Sequence, residues 1–506
     1  MLGTSLTSLS FFGVIVNHQA AALGVLDSPL AKSKPAHNLL FSAMSNNPTV
    51  SISDAFDGGN IEVVQVRSSS SLDDDNKKEE DCAITVELCI KKDPYSELEQ
   101  VHHFQYFAFR ATASGIVVPK GGGVGKQLNV NFVIVNAGDV SFPQAWDGST
   151  VCYSPNLEED ADTNCWQRKL GTRYDQKTKV LSWSHCYESN GSYYFAYFPP
   201  FSYQRHLNLV AKCVKSSLAT VESLGQSLDG REMDIITIGS GDSTAWIIHR
   251  QHPGESMAGY YAEGLLTRLL GLDKQGEIDG TVRNILQKFT LHIIPCMCPD
   301  GAFRGHLRTN ACGANLNREW ATVNEEYVAP SLERSPEVYH VLKRMDAYPP
   351  DIFLDIHGDE ELPVNFLAGA QGIPKWGKRM ESLHGAFCAA YNRSNSDMQQ
   401  SVGYTPVDPV KVVINTATKV IGTRFNCLAS TLEMPFKDCA TNPEPIRGWS
   451  PNRSRMLGAS VLEPLLYIQP FLRVDESLLD FPERDAYVRP QHREFKYGKE
   501  NEVLDY

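Results

Sequence analysis

The chain has 506 residues, 42 % of them hydrophobic, and a formal net charge of −13. That length is enough for two sizeable cores, and the acidic balance argues against a nucleic-acid binder, which needs a basic face. No apolar run reaches the roughly 18 residues that a membrane-spanning helix requires.

Residues 1–48 hold one acidic residue, Asp27, the two lysines Lys32 and Lys34, and no arginine. The stretch "LSFFGVIV" has the apolar character of a signal-peptide core, but no basic residue precedes it. The segment reads as a poorly ordered extension, with a targeting role left open. Residues 49–215 have a different texture. "IEVVQV", "CAITVELCI", "FQYFAFRATA", "LNVNFVIVNAG", "KVLSWSH" and "SYYFAYFPP" are short, rich in Val, Ile, Phe and Tyr, and separated by turn residues. This predicts an all-β sandwich. The polar stretch 68–82, "SSSSLDDDNKKEEDC", predicts a disordered loop between two of its strands.

From residue 216 to 475 strands and helices alternate. "MDIITI", "TAWIIHR", "FTLHIIP", "DIFLDIHG" and "CLASTLEMPF" read as strands. "ESMAGYYAEGLLTRLLGL", "SPEVYHVLKRM" (Ser335 as N-cap, Pro336 in the first turn), "WGKRMESLHGAFCAAY" and "RMLGASVLEPLLYI" read as helices. The alternation predicts an α/β domain with a largely parallel sheet. Residues 476–506 are charged and read as a polar surface tail. The twelve cysteines are scattered, with no C-x-x-C pair, which favours free thiols in a reducing, most simply cytoplasmic, compartment.

Candidate chemistry gathers at predicted strand ends, where open α/β sheets place their ligands. In "HRQHPGES", His252 follows an apolar strand, Pro253-Gly254 turns the chain, and Glu255 stands three positions after His252. An imidazole and a carboxylate at this spacing can face one point, as zinc ligands do. The pair alone is a weak signal. His357, at the end of "IFLDIH", completes a set of two histidines and one glutamate, which leaves a fourth position for water at a single catalytic zinc. A hydrolytic centre then needs a base that is not a ligand. Glu433, in the apolar stretch "STLEMPF", is costly to bury without a task. It could take a proton from the metal's water and pass it to a leaving amine. In "RGHLRTNACGANLNREW", Arg308, Asn317 and Arg318 suit a polarised carbonyl and a bound carboxylate.

Together "HPGES", "GHLRTNACGANLNREW", "LDIHGDE" and "LEMPFKD" resemble the zinc metallocarboxypeptidases related to carboxypeptidase A. The resemblance is to their cytosolic carboxypeptidase branch and especially its bacterial-type members. "GGNIEVV", "NAGDVSFPQAW" and "YFAYFPPFSYQRHL" resemble that branch's N-terminal β domain. The likeness spans about residues 50–475 and implies an α/β/α domain with a mixed, largely parallel sheet. It implies hydrolysis of C-terminal residues from peptides or proteins, with one zinc per chain on His252, Glu255 and His357. It also implies Glu433 as general base, Arg308 on the oxyanion, and Asn317 with Arg318 on the terminal carboxylate. His249 has no role in the family and is assigned to packing or to support of the ligands.

Two positions depart from the pattern. Cys298 replaces the usual asparagine before "PDG", with Cys296 close by. Asn315 stands where an aspartate usually bonds a ligand histidine. Tyr404 is the candidate for the tyrosine that caps such sites. The stretch before Glu433 sets side-chain preference in these enzymes. Its cations, Arg424 and Lys419, point to C-terminal Glu or Asp, with Arg424 the better candidate. Two other readings remain at this stage: a deacylase of the aspartoacylase type and a non-catalytic binding protein. The oligomeric state is not legible.

Overall fold

The computed structural model describes residues 48–69, 82–95, 101–117, 127–158, 165–273, 276–321, 329–406, 408–499 and 501–505. The N-terminal extension, apart from its last residue, and the body of the 68–82 loop lie outside the described residues. The first part of the chain supplies β1 (Thr49–Ser53), β2 (Glu62–Ser69), β3 (Cys82–Cys89), β4 (Ala108–Ser114), β5 (Leu128–Ile134), β6 (Cys152–Ser154), β7 (Gln167–Arg168), β8 (Arg173–Asp175), β9 (Val180–Tyr187) and β10 (Gly191–Ala196). They form two five-stranded sheets, ordered β1-β4-β10-β6-β7 and β2-β3-β5-β9-β8. The alternation in β5 shows why they face each other. Leu128, Val130, Phe132 and Ile134 are buried, and the residues between them are partly exposed. Phe132 of one sheet meets Phe195 of the other at 4.8 Å between ring centroids, and Trp183 stacks on Phe132 at 5.4 Å. The expected sandwich is present.

The second part builds a seven-stranded sheet in the order β11-β12-β14-β13-β15-β17-β16. Its strands are β11 (Ala219–Gln226), β12 (Glu232–Ile238), β13 (Ser243–His249), β14 (Phe289–Ile294), β15 (Ile352–Asp359), β16 (Phe366–Gly369) and β17 (Leu428–Pro435). The central four, β14, β13, β15 and β17, run parallel. The outer pairings are antiparallel, which gives the mixed, largely parallel sheet anticipated. Every residue of β15 is buried, as a parallel strand covered on both faces requires.

The helices are α1 (Tyr203–Val214), α2 (Met257–Leu270), α3 (Gly280–Lys288), α4 (Pro299–Arg304), α5 (Pro336–Ala347), α6 (Lys378–Ser394), α7 (Ala417–Phe425), α8 (Pro451–Ala459) and α9 (Leu462–Ile468). Apolar residues of α2, α3, α6, α8 and α9 cover one face of the sheet. Those of α5 and α7 cover the other. None of the described helices is long and apolar enough to cross a membrane.

Three local expectations change. "RMLGASVLEPLLYI" is two helices, α8 and α9, because Pro464 lacks an N–H and its ring would strike the Ser460 carbonyl in a continuous helix. Ser335 sits at the N-cap of α5, but its hydroxyl accepts no bond from the helix N–H groups and instead donates to Glu319 (3.3 Å). The C-terminal stretch packs back onto both parts of the chain. Arg393 pairs with the buried Asp485 at 2.5 Å, Gln491 N–H donates to Ser401 O, and Asn501 reaches Ser149 O at 2.9 Å. Cys89 and the ten cysteines that follow it are free thiols.

Sandwich and catalytic sheet belong to one compact unit, Asn47–Tyr506. Arg168 of β7 joins them. Its guanidinium is buried and donates to the carbonyls of Thr150, Phe436, Arg447 and Trp449 at 2.8–3.1 Å. A buried charge is tolerated where its donors are matched, and these four bonds engage four of the five guanidinium N–H groups. The clamp holds the segment just beyond β17, three residues past Glu433.

Candidate metal centre and substrate cleft

Two adjacent parallel strands create the site. β13 ends at His249, and the chain then leaves the sheet through Arg250, which takes a left-handed φ of 58°. The Arg250 side chain donates to Pro253 O (2.8 Å) and Phe201 O (2.6 Å), which fixes this turn. Gly254 fits because a Cβ there would come within 2.9 Å of Leu307 O. His252 and Glu255 are thereby aimed at the end of β15, where His357 projects.

The three side chains converge. His252 Nδ1 lies 2.6 Å from Glu255 Oε1, and His357 Nδ1 lies 2.8 Å from Glu255 Oε2. The two Nδ1 atoms are 3.2 Å apart. All three residues are buried, and their donor atoms fall within 4.8 Å of one another. Burial lowers the His252 imidazole to about 3, and the Arg308 charge adds to this. The ring is therefore neutral and able to ligate. Against burial, which raises it, the two imidazoles hold the Glu255 carboxyl below its usual range.

The outward nitrogens are also engaged. His252 Nε2 meets Asn315 Oδ1 at 3.1 Å, and His357 Nε2 meets Asp355 Oδ2 at 2.9 Å. Gln251 donates to the same Asp355 oxygen (2.7 Å), and Trp320 Nε1 donates to Gln251 (2.7 Å). This outer chain leaves both Nδ1 atoms for the centre. Two imidazoles and one carboxylate, closely spaced and buried, fit zinc.

A cleft of about 500 Å³ opens on this set. Glu433 lines it from β17, paired in register with His357. Its Oε2 is buried with no hydrogen-bond partner among the described residues. Burial raises its carboxyl well above the usual range; His357 opposes this, and Glu255, Asp359 and Glu360 add to it. Tyr404 donates to Asp359 Oδ2 (2.5 Å) and stands 3.2 Å from Glu433 Oε1, so the candidate capping tyrosine lies beside the candidate base.

Arg308 lines the same cleft, with its guanidinium 6.0 Å from the Phe142 ring. Asn317 and Arg318 also line it, from the short turn Leu316–Arg318. The Asn317 oxygen accepts from Ala417 N (2.9 Å), and Arg318 Nη1 donates to Asn317 O (2.8 Å). Lys419 reaches the cleft among Thr416, Thr418 and Thr431. Arg424 does not. It is an exposed residue in the last turn of α7, five positions past Lys419, and it pairs with Asp346 at 2.6 Å. The expectation that Arg424 supplies the cleft's cation is therefore corrected in favour of Lys419.

His249 donates from Nδ1 to Ile294 O (2.9 Å) and packs on Tyr261, clear of the ligand set. Cys296 and Cys298 are buried thiols. Burial raises the first to about 11 and the second well above its usual value, so neither offers a thiolate.

The chain matches the zinc carboxypeptidase family over residues 207–452 and the cytosolic carboxypeptidase N-terminal domain over residues 52–198. It belongs to the zinc carboxypeptidase family and carries the N-terminal domain of the cytosolic carboxypeptidases. It is 39 % identical to an uncharacterized protein of Zymomonas mobilis, over 82 % of this chain and 95 % of that one. The crystal structure of a metallo-carboxypeptidase from Burkholderia cenocepacia is 35 % identical, with a TM-score of 0.70, over 83 % of this chain and 99 % of that one. A Pseudomonas aeruginosa metallo-carboxypeptidase in complex with (2-guanidinoethylmercapto)succinic acid is 34 % identical, with a TM-score of 0.68, over 84 % and 100 %. Cytosolic carboxypeptidase 6 of Caenorhabditis elegans is 25 % identical, and there the match spans only 56 % of the relative. This zinc carboxypeptidase is thus a peptide hydrolase by family.

Several residues that line the carboxypeptidase's cleft or support its ligands are not singled out by any sequence motif. Asp355 was within reach, because it stands two positions before His357 on one strand and so on the same face. Gln251, Trp320, Glu360 and Phe142 carried no local signal. Phe142 comes from the sandwich, and only the tertiary fold brings it to the cleft.

Proposed function

We propose that the protein is a zinc-dependent carboxypeptidase holding one zinc per chain and removing residues from the C-termini of peptides or proteins. The observation that carries this is a single cleft lined by the His252–Glu255–His357 set and by Glu433, whose Oε2 is buried without a partner. His252, Glu255 and His357 would hold the zinc, which would supply Lewis acidity at the scissile carbonyl. Glu433 takes the proton of the attacking water and returns it to the departing amine. Arg308 faces the carbonyl oxygen as it gains charge. Arg318 forks onto the free carboxylate, steadied by Asn317.

The finer reading is a preference for C-terminal Glu or Asp. Lys419 supports it, as a half-buried ammonium among threonine hydroxyls, with no ion pair among the described residues. Burial lowers its pKa, and the nearby Arg318 charge adds to that. An acidic side chain would relieve both effects. The test is a panel of peptides that differ only at the last residue, each with a free or an amidated C-terminus, with products read by mass. Release of single C-terminal residues from the free peptides alone is expected. Equal cleavage of the amidated set, or turnover of N-acetyl-aspartate with no peptide cleaved, would overturn the assignment.

A further inference from the structure

The loop that carries Arg308 is held by the other part of the molecule. Asp93 follows β3 in the sandwich and is 3 % exposed. Its carboxylate accepts from three successive backbone N–H groups: Leu307 to Oδ1 (2.8 Å), and Arg308 (2.8 Å) and Thr309 (3.0 Å) to Oδ2. The Thr309 hydroxyl adds a fourth bond to Oδ2 at 3.1 Å. Four donors on one buried carboxylate account for its burial. They also tie down the backbone on both sides of the Arg308 Cα.

Neighbouring sandwich residues add to this hold. Asn60 takes the Lys91 N–H on its oxygen (3.1 Å) and donates to Gly305 O (2.9 Å). A Cβ at Gly305 would come within 2.6 Å of Gly59 O, so the two loops are in close contact. Phe142, also from the sandwich, presents its ring to the Arg308 guanidinium. Gln105 fixes Phe142 through the backbone, accepting from its N–H (2.9 Å) and donating to its carbonyl (3.1 Å).

We infer that Asp93 is a positioning residue for catalysis, through which the β-sandwich sets where the Arg308 guanidinium stands in the cleft. This rests on the proposed role of Arg308 at the developing oxyanion. An arginine side chain is long, and its use there depends on a backbone that does not shift. A carboxylate suits the task because all four of its partners are donors. The isosteric amide of asparagine offers one oxygen, and turns an N–H group toward the other donors.

The test is a double-mutant cycle on the full chain, with Asp93→Asn, Arg308→Ala and the pair, after each variant has been checked for zinc content and thermal unfolding. Asp93→Asn is expected to lower kcat by up to about 100-fold, the scale of a displacement near 1 Å, with a smaller change in KM. In the Arg308→Ala background it is expected to cause no further loss, because the effect passes through the missing side chain. An undiminished loss in that background, or a parental kcat in Asp93→Asn alone, overturns the proposal. A parental kcat in Arg308→Ala overturns the oxyanion role beneath it, and is thereby told apart from failure at Asp93. Should Asp93→Asn not fold, Thr309→Val removes one of the four bonds and enters the same cycle, with the same outcomes deciding.

Discussion

His357 Nε2 lies 2.9 Å from a carboxylate oxygen of Asp355, two positions earlier on the same strand. The contact fixes the ring and its tautomer, so that Nδ1 faces Glu255. Asp355→Asn keeps the shape and removes the charge. Its zinc affinity is expected to fall by about 10- to 100-fold, measured by competition with a chelator. An unchanged affinity would mean that the carboxylate does not tune the ligand.

The metal prediction is direct. Purified protein should contain one zinc per chain, and His357→Ala should lose it. Chelation should abolish peptide cleavage, and added zinc should restore it. Elemental analysis alongside the assay checks both, and full zinc occupancy in His357→Ala would remove His357 from the ligand set.

Glu433→Gln should keep zinc and substrate binding while losing turnover. The amide fills the same space in β17 but cannot take a proton. General-base loss is worth about two to four decades, and it should fall on kcat. A variant close to the parent in kcat would exclude Glu433 as the base.

Much of this was legible in the sequence, for reasons that can be named. His252, Glu255 and His357 sit at the carboxyl ends of two strands, β13 and β15, whose apolar runs are long enough to read. Once those strands are parallel neighbours, the ligands converge. The helix α2 is legible because Met257, Tyr260, Tyr261, Leu265 and Leu269 recur at helical spacing, although the helix is buried on nearly every side. What failed was direction at short range. Lys419 and Arg424 lie five residues apart on α7, so a helical turn sends one into the cleft and the other to Asp346. With no helix assigned to that stretch, the two cations look equivalent in the sequence. Contacts such as Asp93 to Arg308 span more than two hundred positions and join two folding patterns, and no local periodicity encodes them.

A separate prediction concerns stability. Glu337, in the first turn of α5, is fully buried, and its Oε1 has no hydrogen-bond partner among the described residues. Its Oε2 accepts from Asn310 at 3.3 Å. Burial raises its carboxyl to about 8 from an ordinary 4.5, with Asp300 and Glu319 adding to the effect. Between these values the folded chain keeps a proton that the unfolded chain releases. Stability contributed by this group therefore falls as pH rises from 4.5 to about 8, and the loss is complete above that. Each pKa unit is worth about 1.4 kcal/mol. Glu337→Gln resembles the protonated carboxyl at every pH. It should match the parent near pH 4.5 and exceed it in thermal stability above pH 8. Parallel Tm–pH curves for the two proteins would refute the assignment.

The last prediction separates Lys419 from Arg424 in substrate choice. Both are cations before β17, and the net charge of −13 makes a local cation necessary for an acidic ligand. Only Lys419 lines the cleft, whereas Arg424 is spent on Asp346 at the surface. Hydrogen bonds to charged groups contribute about 1.5–3 kcal/mol, and partial exposure of Lys419 trims that by screening. A preference of roughly tenfold for C-terminal Glu over Gln follows, each 1.4 kcal/mol being about a factor of ten. Lys419→Ala should erase this preference through the Glu substrate, leaving cleavage of a peptide ending in Gln nearly unchanged. Arg424→Ala should leave both rates and their ratio at parental values, because its ion pair with Asp346 lies outside the cleft. The kcat/KM ratio for Glu- and Gln-terminated peptides, measured in the parent and both variants, decides the matter. A parent that cleaves the two equally ends the acidic preference. A preference lost in Arg424→Ala and kept in Lys419→Ala would show that the helix presents the other cation to the substrate.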